Sequence, residues 1–156
     1  MSIILGIDPG SNITGYGIID SNGVKHQYIA SGCIRTRNQK GDKQLYKIFA
    51  SISELVKLYL PQEAAIEKVF VHANPNSALK LGEARGAAIV ALSEGDIKIY
   101  EYATREVKKN VVGFGGAAKE QVQHMVKLLL KLKNALRADE ADALAVAICH
   151  AHAKKP

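Results

Sequence analysis

Two acidic residues stand at the ends of apolar segments that are predicted to be buried strands. Asp8 follows the apolar residues 3–7 and precedes Pro9-Gly10, a typical strand terminator. Glu67 occupies the equivalent place after Ala64-Ala65-Ile66. An ionised carboxylate that is buried without a partner costs on the order of several kcal/mol. Each acid therefore either caps a turn, which is the common role of Asp before Pro-Gly, or binds a positive partner such as a metal ion.

A third acidic feature, Asp139-Glu140-Ala141-Asp142, opens an apolar helix that is predicted over 139–153. At about 100° of rotation per residue, Asp139 and Asp142 lie within about 60° of each other on the helix surface. Glu140 lies about 160° from Asp142, which excludes it from the pair. The structural alternative makes Asp139 the N-cap and places Asp142 in the first turn, where free amides and the helix dipole favour acids.

Capping explains the helical pair but leaves the acids at the ends of two other apolar segments without a reason. One metal site that is shared by all four carboxylates is the more economical interpretation. Carboxylate oxygens, with no His or Cys at matching spacing, favour Mg²⁺ or Mn²⁺ over zinc. Two such ions about 4 Å apart could activate water and stabilise the leaving oxygen in phosphodiester hydrolysis.

The elements that must position these acids describe an α/β domain. Strands are predicted at 3–8, 14–19, 24–34, 64–69 and 97–102, and helices at 43–60, 76–91, 105–110, 117–131 and 139–153. Asn22-Gly23, between the second and third strands, is a strong hairpin signal. Three leading strands followed by alternating helices and strands predict a mixed five-stranded sheet flanked by helices. With 156 residues, the chain is predicted to form a single domain, 1–156.

The charge distribution favours an anionic partner. The net charge is +6, and basic residues gather at 105–109 and again along 119–137. A basic surface around a few buried acids suits an enzyme that acts on a polyanion through bound cations. No apolar stretch is long enough to span a bilayer, and the first residues lack the features of an export signal, so we expect a cytoplasmic protein without membrane contact.

Six motifs follow one another along the chain in the order in which one known nuclease family carries them. They are Ile7-Asp8-Pro9-Gly10, Thr14-Gly15-Tyr16-Gly17, Ala65-Ile66-Glu67, residues 76–86 (Asn-Ser-Ala-Leu-Lys-Leu-Gly-Glu-Ala-Arg-Gly), residues 121–126 (Gln-Val-Gln-His-Met-Val) and residues 139–145 (Asp-Glu-Ala-Asp-Ala-Leu-Ala). Over essentially its whole length, the chain resembles the bacterial RuvC family of crossover junction endodeoxyribonucleases.

The resemblance implies a ribonuclease-H-like fold and a homodimer. Such a dimer cuts a four-way (Holliday) DNA junction symmetrically in recombination and repair, with Mg²⁺ and beside the RuvA and RuvB branch-migration proteins. Two ions per site are expected, and Mn²⁺ is a plausible substitute. The family's catalytic, metal-binding acids fall on Asp8, Glu67, Asp139 and Asp142. Its DNA-contacting residues fall on Lys108, Lys119 and Phe70.

Several of these residues could also have ordinary structural roles. Lys108 and Lys119 have the character of ordinary surface lysines, although the Gly-rich break at 113–116 lets Lys119 open a helix whose amino end can approach phosphate. Phe70 is equally typical of a core residue, although the polar residues after it favour a loop in which its ring could contact a base. The small-residue helix at 76–91 suits either the core or a two-fold interface.

Two other functions compete with junction cleavage. A related ribonuclease-H-like nuclease that acts on RNA would share the acids. An actin-like phosphate-binding ATPase also begins with a strand, an Asp and a Gly-containing hairpin. Such ATPases need two halves to enclose a nucleotide, and this chain supplies the length of one.

Overall fold

The computed structural model describes residues 1–68 and 74–154, which form five strands and five helices. The strands are β1 (Ser2–Asp8), β2 (Ile13–Ser21), β3 (His26–Arg35), β4 (Glu63–Glu67) and β5 (Lys98–Tyr102), and the helices are α1 (Asp42–Tyr59), α2 (Pro75–Glu94), α3 (Thr104–Val111), α4 (Lys119–Leu130) and α5 (Ala138–Ala153). Each predicted element is present, with small differences at its ends. Among these helices, none has the length and apolar character that would let it cross a bilayer.

The five strands form one mixed sheet in the order β3-β2-β1-β4-β5. The first three strands form an antiparallel meander, and β4 and β5 extend it as strands parallel to β1. The meander turns at Asn22-Gly23, where the Asn22 side chain accepts the amides of Val24 and Lys25, and Gly23 adopts a positive φ of 90°. The predicted mixed five-stranded sheet is thereby confirmed.

Each face of the sheet is covered by its own group of helices. Leu5 belongs to the core that α1 and α2 form on one face, whereas Ile4 belongs to the core formed with α3, α4 and α5 on the other. Because side chains alternate along a strand, Asp8 shares the α5 face with Ile4, and Glu67 shares it with Ala65. Both strand acids therefore point toward the side of the sheet on which α5 lies.

Helix α5 lies unusually close to the sheet because glycines face it. A Cβ atom added to Gly6 would lie 2.1 Å from the carbonyl oxygen of Ala143, and one added to Gly15 would lie 2.1 Å from that of Asp139. Both obstacles are helix backbone, which cannot turn aside as a flexible side chain can. Glycine in the middle of β1 and β2 is therefore the condition for seating α5 directly on the strands.

At the end of this face opposite Asp8, a buried acid is fully paired. Glu63, which is 4% exposed, accepts the ammonium of Lys154 at 2.5 Å and contacts Nε2 of His150 at 3.1 Å. The other ring nitrogen of His150 lies 2.6 Å from the Tyr102 hydroxyl. Glu63 thus satisfies the usual rule that a buried charge is neutralised and hydrogen-bonded by its neighbours.

The close contact between α5 and β1 can be tested by adding one methyl group. We expect Gly6→Ala to lower the free energy of unfolding by about 1–3 kcal/mol, because the new Cβ meets backbone and forces α5 outward. The control is Gly116→Ala, whose added methyl meets nothing within 4 Å and which should stay within about 0.5 kcal/mol of wild type. Urea denaturation followed by circular dichroism measures both. Equal midpoints for Gly6→Ala and wild type would contradict the close seating of the helix.

Candidate active site

The two strand acids meet at one edge of the sheet. β1 and β4 are parallel neighbours, and Ile7 pairs with Ile66. Asp8 and Glu67 are the next residues along these strands and lie on the same face. The sheet therefore brings together two carboxylates that are separated by almost sixty residues in sequence, as the apolar runs around them predicted.

Helix α5 begins at the same edge and adds the other two acids. Its N-cap is Arg137, so Asp139 is the second helical residue and Asp142 the fifth. The prediction that Asp139 could be the N-cap is wrong. The acid that stabilises the helix start is Glu140, the third helical residue, whose Oε2 accepts the amide of the N-cap residue Arg137 at 3.1 Å while its Oε1 accepts the Ser31 hydroxyl at 2.8 Å. Asp139 and Asp142 are thus left available to the site.

The four acids act on one another electrostatically. Burial and, to a smaller extent, the charges of Asp142, Glu67 and Asp139 together raise the pKa of Asp8 to about 8, against the opposing effect of Lys119. Burial also raises the pKa of Glu67 and that of Asp142. Like charges in a poorly solvated site resist simultaneous ionisation. The contrast with the fully paired Glu63 marks this edge as a place where negative charge is concentrated without a sufficient counter-charge.

Lys119 supplies part of the missing positive charge. It is the first residue of α4, and its ammonium lies 3.3 Å from Oδ2 of Asp142. That carboxylate raises the pKa of Lys119, so the lysine stays charged at neutral pH. The helix was predicted from residue 117 but begins two residues later, because Gln121 accepts the amide of Ala118 at 2.7 Å and fixes the helix start there.

An open cleft of about 250 Å³ connects these groups. Its lining residues are Glu67, Thr104, Val107, Lys108, Lys119, Val122, Asp142 and Ala145. Both predicted lysines therefore border the same cleft as two of the predicted acids. The cleft thus combines two carboxylates with two ammonium groups, which suits a phosphate group that approaches through a bound cation.

Thr104 is the residue of this cleft that sequence reasoning missed. Its hydroxyl donates a 2.8 Å hydrogen bond to Oε1 of Glu67. Thr104 is the first residue of α3. The side chain that caps this helix is that of Glu106, which accepts the Ala103 amide at 2.9 Å. The sequence carries one signal of this arrangement. In a capping box, the capping Ser or Thr stands three residues before the Glu, but Thr104 stands only two residues before Glu106. The Thr104 hydroxyl is therefore not used to cap the helix.

The site suits a hard divalent cation by its donor chemistry. All four candidate ligands are carboxylates, and a cation would relieve the repulsion that raises the pKa of Asp8. Over residues 1–68 and 74–154, however, no three acidic, His or Cys side chains lie close enough to form a ready-made metal cage. Lys119 holds Asp142, and Thr104 holds Glu67, so ion binding requires rotation of at least some carboxylates toward a common point.

Phe70, the predicted base-contacting aromatic, lies outside the described residues. Its role stays a prediction.

Comparison with known proteins decides the family. The family model of crossover junction endodeoxyribonuclease RuvC matches residues 4–150. The chain belongs to the RuvC family. The RuvC protein of Psychromonas ingrahamii is 59% identical over 152 residues, which cover 97% of this chain and 88% of that protein.

Solved RuvC structures share the fold. The structure of Thermus thermophilus RuvC matches with a TM-score of 0.88 at 34% identity, covering 96% of this chain and 93% of that one. Thermus thermophilus RuvC in complex with a Holliday junction substrate matches with a TM-score of 0.92 at 33% identity, covering 98% and 94%. The resemblance to RuvC and the ribonuclease-H-like fold are therefore confirmed, and the assignment decides against an actin-like half-domain.

The burial of Asp8 beside three other acids predicts a pH-dependent stability. The folded-state pKa of Asp8 is about 8, whereas an unfolded Asp has a pKa near 3.8. Between these values the folded protein binds a proton that the unfolded chain has released, so this residue's contribution to stability falls as pH rises from about 4 to about 8. In EDTA at pH 8, we expect Asp8→Asn to raise the free energy of unfolding by roughly 1–3 kcal/mol.

Thermal denaturation of both proteins at pH 5 and pH 8 measures this effect. The melting temperature of Asp8→Asn should exceed that of wild type by several degrees at pH 8, with a smaller gap at pH 5. Asp42→Asn, which removes an exposed acid at the start of α1, is the matched control and should show no such pH-dependent gap. A pH-independent difference for Asp8→Asn would contradict the electrostatic account.

Proposed function

We propose that this chain resolves four-way DNA junctions by metal-dependent phosphodiester hydrolysis and that Asp8, Glu67, Asp139 and Asp142 are its catalytic metal ligands. The supporting observation is that β1, β4 and α5 bring these acids close enough to act on one another electrostatically, and that Glu67 and Asp142 line one cleft together with Lys108 and Lys119. A junction in recombination and DNA repair is the substrate class that fits the family. A divalent cation, Mg²⁺ or in its place Mn²⁺, with two ions per site, would neutralise the scissile phosphate and lower the pKa of the attacking water.

The residues of the chain have separate proposed roles in holding the cation and the DNA. The four acids would hold the cation through their carboxylate oxygens. Lys119, held against Asp142, places a fixed positive charge where the phosphate enters. Lys108 lines the same cleft and binds the DNA backbone. By the family resemblance, Phe70 contacts a base. Because phosphate contacts position DNA without specifying its sequence, the lysines set register and affinity.

A homodimer is the assembly that two symmetric cuts require. Helix α2 carries a suitable surface: Leu79 and Val90 are 65% and 56% exposed, and Gly82 and Gly86 lie on the same side of the helix with nothing near their Cβ positions. A stripe of small and apolar residues lets two copies of a helix approach each other closely about a two-fold axis. RuvA and RuvB as partners and a cytoplasmic location stay predictions of the family resemblance.

The experiment that separates the candidate functions compares three substrates. Cleavage of a synthetic four-way junction, a linear duplex and an RNA–DNA hybrid is measured with and without Mg²⁺. We expect cleavage of the junction alone, in two strands and only with the cation. Preference for the hybrid would favour a ribonuclease, and cleavage of the linear duplex at the same rate would remove the specificity for junctions.

Asp8→Asn should abolish cleavage while leaving junction binding largely intact. The expected loss is about 10³-fold or more in the single-turnover rate, because the variant keeps the shape of the site and loses a charged ligand. Asp42→Asn is again the control and should cleave at the wild-type rate. Electrophoretic mobility shifts in Ca²⁺ give the affinity separately, and retained cleavage by Asp8→Asn would remove this residue from the mechanism.

Thr104 is expected to act as a positioning residue for Glu67. Thr104→Val keeps the size and branching of the side chain but loses the hydroxyl that holds Oε1, and residues that orient ligands typically contribute about 10–100-fold. The Mg²⁺ concentration for half-maximal cleavage should rise by that order, with unchanged junction affinity. Thr104→Ser restores the hydroxyl and should restore the Mg²⁺ response. Failure of Ser to rescue would mean that Thr104 acts through packing.

The dimer is tested in solution. Light scattering at micromolar concentration should give twice the chain mass of 16.8 kDa. Val90→Lys, which places a charge in the exposed stripe of α2, should shift the protein toward the monomer and prevent paired incision. A wild-type protein that remains monomeric on junction DNA would contradict the proposed assembly.

A further inference from the structure

Two histidines that are 126 residues apart in sequence meet at the end of the molecule formed by the β2–β3 hairpin. His26 is the first residue of β3, and His152 lies in the last turn of α5. Their Nε2 atoms are 2.9 Å apart, and the two ring centroids are 4.9 Å apart. Both side chains are half-buried, so solvent reaches the pair. Neither residue belongs to the acidic cleft.

The second nitrogen of each ring has an oxygen partner. Nδ1 of His152 lies 2.9 Å from the backbone carbonyl oxygen of Asn110, and a carbonyl can only accept, so this nitrogen carries a proton. In neutral His152, Nε2 therefore presents its lone pair to His26. Nδ1 of His26 lies 2.7 Å from Oγ of Ser21, a hydroxyl that can either donate or accept.

The Ser21 hydroxyl permits two arrangements of the pair. In one, Ser21 donates to Nδ1 of His26, whose Nε2 proton then bridges to His152. In the other, Nδ1 of His26 donates to Ser21, and both Nε2 lone pairs face the same point. The second arrangement is the usual one for histidine metal ligands, in which the nitrogen remote from the ion donates to an oxygen that fixes the ring.

The separation of the two nitrogens also suits shared coordination. Two nitrogens at metal bonds of about 2.0–2.1 Å, with an angle of about 90–110° between them, lie about 2.8–3.4 Å apart. The observed 2.9 Å falls within that range. The site lies at the carboxyl ends of α3 and α5, where the helix dipoles favour positive charge.

We propose that His26 and His152 form a binding site for a divalent transition-metal ion of the type that prefers imidazole, such as Zn²⁺ or Cu²⁺, with water in the remaining positions. On binding, the proton between the rings moves from Nε2 to Nδ1 of His26, the Ser21 hydroxyl rotates to accept it, and the ion replaces the proton as the link. Imidazole nitrogens favour these ions over Mg²⁺, so the site is chemically distinct from the carboxylate cleft. The ion would join the β2–β3 hairpin to the end of α5.

Zn²⁺ binding by titration calorimetry in excess Mg²⁺ tests the proposal, because Mg²⁺ competes at the carboxylates and leaves the imidazoles open. The variants are His26→Gln and His152→Gln. His124→Gln, which removes an exposed histidine of α4, is the matched control. We expect one Zn²⁺ ion per chain in wild type and in His124→Gln, and an affinity that is lower by roughly 10–100-fold in each of the other two variants. Equal affinities in all four proteins would overturn the proposal.

A spectroscopic measurement on the wild-type protein does not depend on how the variants fold. Pulsed electron paramagnetic resonance of one equivalent of Cu²⁺ should detect two coordinated imidazoles, and a spectrum with one or none would overturn the proposal. Circular dichroism of the variants shows whether a lost affinity reflects lost structure. If His26→Gln and His152→Gln are folded and still bind Zn²⁺ as wild type does, the pair is only a hydrogen bond.

Discussion

Mutual repulsion among four carboxylates is opposed here by the close seating of α5 on the sheet. The sheet alone would bring Asp8 and Glu67 to one edge, and in the complete fold burial raises the pKa values of both. Helix α5 adds Asp139 and Asp142, and it can do so because Gly6 and Gly15 leave its backbone room to lie on the strands. Packing of an apolar helix therefore supplies the free energy that holds like charges together. The crowding of like charges lowers the local stability, and a bound cation would offset that loss.

Much of this arrangement could be predicted from the sequence, because it follows from local rules. Strand alternation places Asp8 on the α5 face, and helical rotation separates Glu140 from the acid pair. Glu140 shows both the strength and the limit of such rules. Its exclusion from the pair was predictable, whereas its bond to Ser31 depends on a strand that lies more than a hundred residues earlier.

Other features depend on tertiary contacts that no local pattern encodes. Glu63 and Glu67 stand four residues apart in the same short strand, and sequence alone gives no reason for one to be paired with Lys154 and the other to face like charges. Thr104 reaches Glu67 only because β5 runs beside β4 and delivers the start of α3 to its end. The pairing of His26 with His152 likewise requires the last helix to end beside the first hairpin.

The order of the acids along the chain has a consequence for synthesis. Asp8 belongs to the first strand and Asp142 to the last helix, so the cleft is assembled from the two extremes of the folded region. A chain that is still on the ribosome has the sheet acids but lacks the helix that completes the set. If these acids act as proposed, cleavage would begin only when the last helix docks on the sheet, and a partly synthesised or partly unfolded copy would not cut DNA.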